Sequence, residues 1–306
     1  MDVGAYMAER IPLVDTAIEK RLASLSDGLS DGLSEGGEPI PANLAGAMRH
    51  LLFPGGKRIR PVLAMAAAEA VGGPPTAALP LGVAVELIHT YSLVHDDLPC
   101  MDDDDFRRSR PTVHIAYDEA TAVLAGDALL TEAFAVLGDL AGSNDSAAAA
   151  RLSVVSRLAR AAGALGLVGG QIDDLAFDAL KGDDSEGRAI GQGTHAAFLA
   201  TIHARKTAAL FQASVVGGAT LAGANSAQCE ALEAFGRDVG IGFQIADDVL
   251  DADSDEAASI LRLQGIDDAK QGAEGLLDRA LGKIEGWGEG AEPLRALARF
   301  AIRRER

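Results

Sequence analysis

The stretch "ALPLGVAVELIHTYSLVHDD", residues 78–97, decides how this chain folds. Its apolar residues recur at three- and four-residue spacing without strict polar alternation, which is the period of an α-helix and not of a strand. One stripe departs from the apolar pattern. His89, Ser92 and Asp96 fall at i, i+3 and i+7 and therefore share a face. A carboxylate with polar groups one and two turns below it reads as a cavity wall, although a lone histidine in such a helix is also readable as a satisfied core residue.

The same period extends in both directions. Before this helix, Leu44, Met48, Leu51 and Leu52 precede the turn "FPGGKRIRP", and Val62, Met65 and Ala66 follow it. After it come "AVLAGDALLTEAFAVLGDL", "RLSVVSRLARAAGALGLVGGQIDDLA", "AAFLATIHARKTAALFQASVVGGATLAG" and "CEALEAFGRDVGIGFQIADDVLD". Residues 8–25 are expected to form a first helix, and the Ser-, Asp- and Gly-rich "SDGLSDGLSEGGEPIP" an exposed loop. With 48% hydrophobic but only 4% aromatic residues, the helices should pack closely through small side chains. The expectation is an all-α protein of about ten or more helices forming one domain over residues 1–306.

Forty-five acidic against 27 basic residues give a formal charge of −18, which repels nucleic acid and anionic membrane surfaces. Cys100 and Cys229 form no CxxC or Cys/His cluster, which argues against a disulfide framework or zinc site and fits a reducing cytoplasm. The start reads as an amphipathic helix and not as a secretory signal. Windows such as "ALLTEAFAVLGDLAG" are interrupted by charge before the roughly 20 apolar residues of a membrane span. A soluble protein with no stable membrane anchor is expected.

Charge is concentrated in "LVHDDLPCMDDDDFRRSRPTVH", residues 93–114, where Asp96, Asp97 and Asp102 to Asp105 precede Arg107 and Arg108. On an ideal helix Asp96 and Asp102 would point about 120° apart and Asp96 and Asp103 would nearly align. Pro99 should end or bulge the helix and re-aim the later carboxylates, so spacing leaves Asp102, Asp103 and Asp104 equally open. A second cluster, Asp247, Asp248 and Asp251, has the pattern DDxxD, with Asp247 and Asp251 on one face. Like charges at that spacing need solvent or a cation. Magnesium is often held by one or two carboxylates plus substrate phosphates. DDxxD alone also fits a solvated acidic face, but the apolar "VGIGFQIA" before it belongs to a buried helix. Basic groups stand nearby in sequence: Lys57 and Arg60 in "GGKRIRP", Arg107 and Arg108, and Lys206 in "HARKTAAL". Each could be a structural ion pair. Together they suggest a diphosphate held by Mg²⁺-bearing carboxylates on one side and arginine forks on the other.

In their order and separations, "GGKRIRP", "ELIHTYSLVHDDLPCMDDDDFRRSRPTVH", "GDALL", "GGQIDDL", "ARKTAAL" and "GFQIADDVLD" make nearly the whole chain resemble the trans-isoprenyl diphosphate synthases of the polyprenyl synthetase family, closest to the bacterial short-chain farnesyl and geranylgeranyl type. The resemblance implies a helical bundle around a deep central cavity, a homodimer, and two acidic motifs facing each other at the cavity mouth. It implies Mg²⁺-dependent head-to-tail condensation of isopentenyl diphosphate with an allylic diphosphate, dimethylallyl or geranyl. Carried over by motif, Asp96, Asp102 and Asp247 are the foremost metal ligands, with Asp97, Asp248 and Asp251 in support. Lys57, Arg60, His89 and Arg108 match isopentenyl diphosphate-binding positions, and Arg107, Lys206, Thr207 and Gln244 those around the allylic diphosphate. The catalytic set so implied is Asp96, Asp97, Asp102, Arg107, Lys206 and Gln244. The released diphosphate would take the final proton.

Product length is expected to depend on Tyr91 and Ser92. Tyr91 resembles the aromatic residue at that place in bacterial farnesyl diphosphate synthases, although a helical wheel sets it about 140° from Asp96. A C15 product is favoured, with geranylgeranyl diphosphate as the alternative. A class I terpene cyclase shares the DDxxD chemistry but would not need Lys57, Arg60 and His89. The chain departs from the family after Asp251: no "GK" follows, and Lys270 is the first lysine. Either the family's loop is deleted here or its residues are not contained in this sequence; a deletion would remove what the resemblance implies is a diphosphate clamp and keeps open a catalytically weak, prenyl-diphosphate-binding partner subunit.

Overall fold

The computed structural model describes residues 1–28, 38–139, 144–179, 192–250, 260–262 and 265–303. Among these, the helices are α1 (Val3–Ser26), α2 (Ala42–His50), α3 (Ile59–Ala70), α4 (Leu79–Asp96), α5 (Val113–Ala116), α6 (Glu119–Gly138), α7 (Asp145–Ala162), α8 (Leu167–Ala179), α9 (Gln192–Ile202), α10 (Ala209–Leu221), α11 (Ser226–Leu250), α12 (Ile266–Lys283) and α13 (Glu292–Ile302). The only strands among the described residues are β1 (Phe106–Arg107) and β2 (Arg110–Pro111), paired antiparallel with Phe106 opposite Pro111 and Arg107 opposite Arg110. The all-α expectation holds. The first helix is longer than the 8–25 read from sequence, because Met7 joins Val14, Ile18 and Leu22 on one buried stripe.

The chain divides into two compact units, one of residues 5–62 and 79–155, the other of residues 1–4, 63–78 and 156–306. In the first unit α4 packs along α6, and α2 and α5 also lie against α6. Leu81, Val85, Leu87 and Ile88 of α4 and Leu129 of α6 are fully or almost fully buried. Three segments, 75–96, 119–138 and 145–177, are long and apolar enough to cross a membrane by length and composition. This corrects the expectation that charge interrupts every such window. In α4 the apolarity serves burial, on nearly all sides of the helix.

In the second unit α11 is the central helix, touching α10, α12 and α13. Between α9 and α10 the chain makes a π-helical turn, His203–Ala208, which also packs against α8 and α11. Such turns replace the usual i→i−4 ladder locally and recur at functional sites. Two glycines admit it. A methyl group on Gly170 of α8 would lie 2.4 Å from the Lys206 nitrogen, and one on Gly240 of α11 would lie 2.5 Å from Cα of Ala208. The close packing expected from small residues thus includes the turn that carries Lys206 and Thr207.

Candidate functional site

In the first unit the site begins where α4 ends. Pro99 cannot continue the helix, and the backbone folds back on itself: the Asp102 N–H donates to the Asp96 carbonyl at 2.8 Å, and that of Asp104 to the Asp97 carbonyl at 3.2 Å. Thr112 closes the loop from the far side, its hydroxyl donating to the Asp104 carbonyl at 2.8 Å and its N–H to that of Asp105 at 2.9 Å. Asp103 is left-handed, with φ 57°, a conformation that Asp tolerates. Asp96 and Asp97 are buried, whereas Asp102 to Asp105 are exposed. The loop therefore places Asp102, more directly than Asp103 or Asp104, against the end of α4.

The hairpin that follows carries the arginines. Its two-residue loop, Arg108 and Ser109, has φ 55° and 59°, the positive pair required by a type I′ turn. Asn-Gly is the usual solution there, so two residues with full side chains store backbone strain. Arg107 donates through Nε to Asp97 Oδ1 and through Nη2 to Asp104 Oδ2 at 3.2 Å. Arg108 donates through Nη1 to the Leu51 carbonyl at 2.8 Å and lies against Gly56, where a methyl group would come within 2.7 Å of Nη2. The acidic loop, the hairpin arginines and the "GGKRIRP" turn therefore form one cluster. Asp97 Oδ2 is buried and without a hydrogen-bond partner, a polar atom that a cation or water would satisfy.

The turn itself is pinned by a residue that sequence reasoning passed over. Arg58, left-handed with φ 49°, is fully buried. It donates to Glu86 at 2.6 Å, to Asp15 at 2.8 Å and to the Leu52 carbonyl, and its guanidinium lies 5.7 Å from the Phe53 ring centre. Lys57 is exposed and Arg60 half-buried on either side of it. The detectable signal was Glu86, one carboxylate inside an otherwise apolar helix.

His89 is held well below its usual pKa, first by burial and then by Arg60, Arg108, Arg107 and Arg58. At neutral pH it is an uncharged hydrogen-bonding group facing a cationic cluster. Below the unfolded value of about 6.5, the unfolded chain takes up a proton at this position that the folded chain refuses until lower pH. Stability must then fall with falling pH, by at most about 1.4 kcal/mol per unit from this group. Urea unfolding at pH 7.0 and 5.5 checks this: His89→Asn should lose less stability on acidification than the parent, and equal losses would refute it.

Ser92 donates its hydroxyl to the His89 carbonyl at 2.9 Å. Tyr91 is buried, stands edge-on to His95 at 5.8 Å, and its hydroxyl has no hydrogen-bond partner. Burial and then the Asp96 charge push that phenol up to about 12.

The second unit carries the remaining predicted residues. Lys206 donates to Asp174 Oδ2 across the α8 contact, and neighbouring Arg205 donates to Asp173 at 2.8 Å. Thr207 donates its hydroxyl to Gln244 Oε1 at 2.7 Å, and Gln244 Nε2 donates to Asp248 Oδ1 at 3.0 Å. The other oxygen, Asp248 Oδ2, accepts from the Ile260 N–H at 2.8 Å and stands 3.6 Å from His203 Nε2. Asp248 is buried, and burial pushes its carboxyl up to about 6. Asp247, one residue earlier on α11, is half-buried. Asp251 and the segment after it up to residue 259 lie outside the described residues. Gln171, Asp174 and His203 were not singled out from sequence; all three have buried polar atoms without hydrogen-bond partners.

Among the described residues no group of three or more His, Cys, Asp or Glu could hold a metal by itself. Magnesium takes one or two carboxylates and completes its shell with substrate phosphate and water. Asp96, Asp102 and Asp247 offer hard oxygen donors of the right kind, and the orphaned Asp97 oxygen marks the first cluster as short of positive charge.

The polyprenyl synthetase family model matches residues 41–273. The chain is 46% identical over 217 residues to the farnesyl diphosphate synthase of Bacillus subtilis (strain 168), covering 71% of this chain and 69% of that protein. It is 41% identical over 280 residues to the large subunit 1 of the heterodimeric geranylgeranyl pyrophosphate synthase of Arabidopsis thaliana, covering 87% and 73%. Among solved structures, an FPP/GFPP synthase from Zymomonas mobilis in its apo form superposes with TM-score 0.81 at 35% identity, covering 98% of this chain and 99% of that one.

Proposed function

The chain belongs to the polyprenyl synthetase family and is a short-chain trans-prenyltransferase, and from that premise we propose that it condenses isopentenyl diphosphate with geranyl or dimethylallyl diphosphate, with Mg²⁺, to farnesyl diphosphate. One observation carries the reading. Arg107 is bonded to Asp97 while the next residue, Arg108, lies against the "GGKRIRP" turn, so a carboxylate cluster and a set of cations share one loop assembly.

Bound magnesium would neutralise the charge that develops on the leaving diphosphate. Asp96 and Asp102 are the ligands proposed in the first unit and Asp247 in the second. Lys57, Arg60, Arg108 and neutral His89 bind isopentenyl diphosphate. Arg107 and Lys206 set fixed positive charge towards the allylic diphosphate, and fixed charge stabilises a leaving group most as its bond breaks. Thr207 and Gln244 hold their dipoles in line through their mutual hydrogen bond. The farnesyl product rests on the buried Tyr91 ring as a floor. The working form is proposed to be a cytoplasmic homodimer, for which exposed Val123 and Leu124 of α6 supply an apolar face.

The test is incubation with labelled isopentenyl diphosphate and geranyl diphosphate, with Mg²⁺ or with chelator, followed by sizing of the dephosphorylated products. A C15 alcohol that disappears on chelation is expected. A C20 product would remove the Tyr91 floor, and no elongation would leave a prenyl-diphosphate-binding subunit, the reading favoured by the lack of lysine between Asp251 and Lys270.

A further inference from the structure

His203 is 3% exposed and its Nε2 has no hydrogen-bond partner. Leaving such a donor unsatisfied costs on the order of 1–3 kcal/mol, so a buried imidazole kept in that state needs a reason. The carboxylate oxygen nearest this nitrogen in the ion-pair range is Asp248 Oδ2, at 3.6 Å, short of a hydrogen bond by less than an ångström; burial keeps the imidazole neutral, so the contact is between a neutral ring and the carboxyl. That carboxylate is the junction of a chain of contacts. One oxygen receives Gln244, which receives Thr207, and the other receives the Ile260 backbone. His203 and Thr207 are the first and fifth residues of the same π turn. One turn of backbone therefore addresses both ends of the relay.

We propose that His203 is a positioning residue which, by donating Nε2–H to Asp248, fixes the second aspartate motif and the Ile260 segment in the geometry that receives metal-bound diphosphate. It touches neither substrate nor metal. Its action runs through Asp248, whose two oxygens both accept from protein donors. The inference deepens the proposed function and rests on it for the identity of the ligand.

Two amides that differ in reach test it. Glutamine places its Nε2 near the position of the imidazole Nε2, whereas asparagine stops near Nδ1. Mn²⁺ binding in the presence of inorganic pyrophosphate, followed by the electron paramagnetic resonance signal of free Mn²⁺, and deuterium exchange of a peptide containing Ile260 are the readouts. Neither requires turnover. His203→Gln should retain parental Mn²⁺ affinity within about twofold and parental protection. His203→Asn should bind about 10- to 100-fold more weakly, the usual cost of losing a group behind a metal ligand, and exchange faster. Equal behaviour of the two variants overturns the inference. Should His203→Asn not fold, His203→Leu, which has no donor, serves in its place, and parental Mn²⁺ affinity with unchanged protection of Ile260 in it overturns the inference equally. If no condensation occurs in the parent but the two amides still separate, the assignment of the reaction fails and that of His203 stands.

Discussion

Asp96→Ala will lower the condensation rate by about 10³-fold while changing stability by no more than about 1 kcal/mol. The size follows from removing one preorganised group acting on a developing charge, for which losses of about 10²–10³ are usual. Asp96 belongs at the upper end, because it sits at the C-terminus of α4, where the helix dipole adds negative potential to the carboxylate. The same placement keeps the stability effect small: losing a negative charge from a helix C-terminus relieves repulsion, and its attraction to Arg107 offsets part of that gain. Raising Mg²⁺ should not restore the rate. Steady-state turnover together with urea unfolding checks the pair of expectations, and a variant that is slow only because it is unfolded would contradict them.

Arg58→Ala should be the costliest single truncation for folding, at about 3–5 kcal/mol. Removing one partner of a buried ion pair leaves the other charged and desolvated. Here two carboxylates are affected: Glu86 is almost wholly buried, and Asp15 is 35% exposed and can turn to water. Glu86 therefore carries most of the penalty. Arg58→Met combined with Glu86→Gln should recover at least half of the lost stability, since an apolar and neutral replacement of similar volume removes the stranded charge. Urea midpoints of the parent, the single and the double variant decide this. If Arg58→Ala unfolds within about 1 kcal/mol of the parent, Arg58 does not pin the turn.

Much of this arrangement was legible in the sequence. Helix α4 was readable because apolar residues recur at helical period along its length, and its end because Pro99 cannot donate to the ladder. The arginine hairpin was legible as charge but not as shape, since Arg108 and Ser109 are poor indicators of the left-handed turn they adopt. Lys57, Arg58 and Arg60 look alike in "GGKRIRP". Only the partners Glu86 and Asp15, distant in sequence, distinguish the buried pin from its neighbours. The π turn had no readable signal, because its cause lies in close approach to Gly170 and Gly240 on other helices. His203, Gln171 and Asp174 escaped for the same reason: a polar residue in an apolar helix announces burial only once its neighbours are known.

The backbone bonds that fold residues 97–105 onto the end of α4 gather six carboxylates, of which Arg107 pairs with Asp97 and Asp104, into a small volume. Repulsion among like charges extends about 10 Å at 0.1 M salt and about 30 Å at 0.01 M. The loop is consequently a spring loaded by dilution. Ordinary monovalent salt, which weakens most surface ion pairs, relaxes it. A divalent ion bound among these carboxylates would lower the same repulsion more strongly than monovalent salt does.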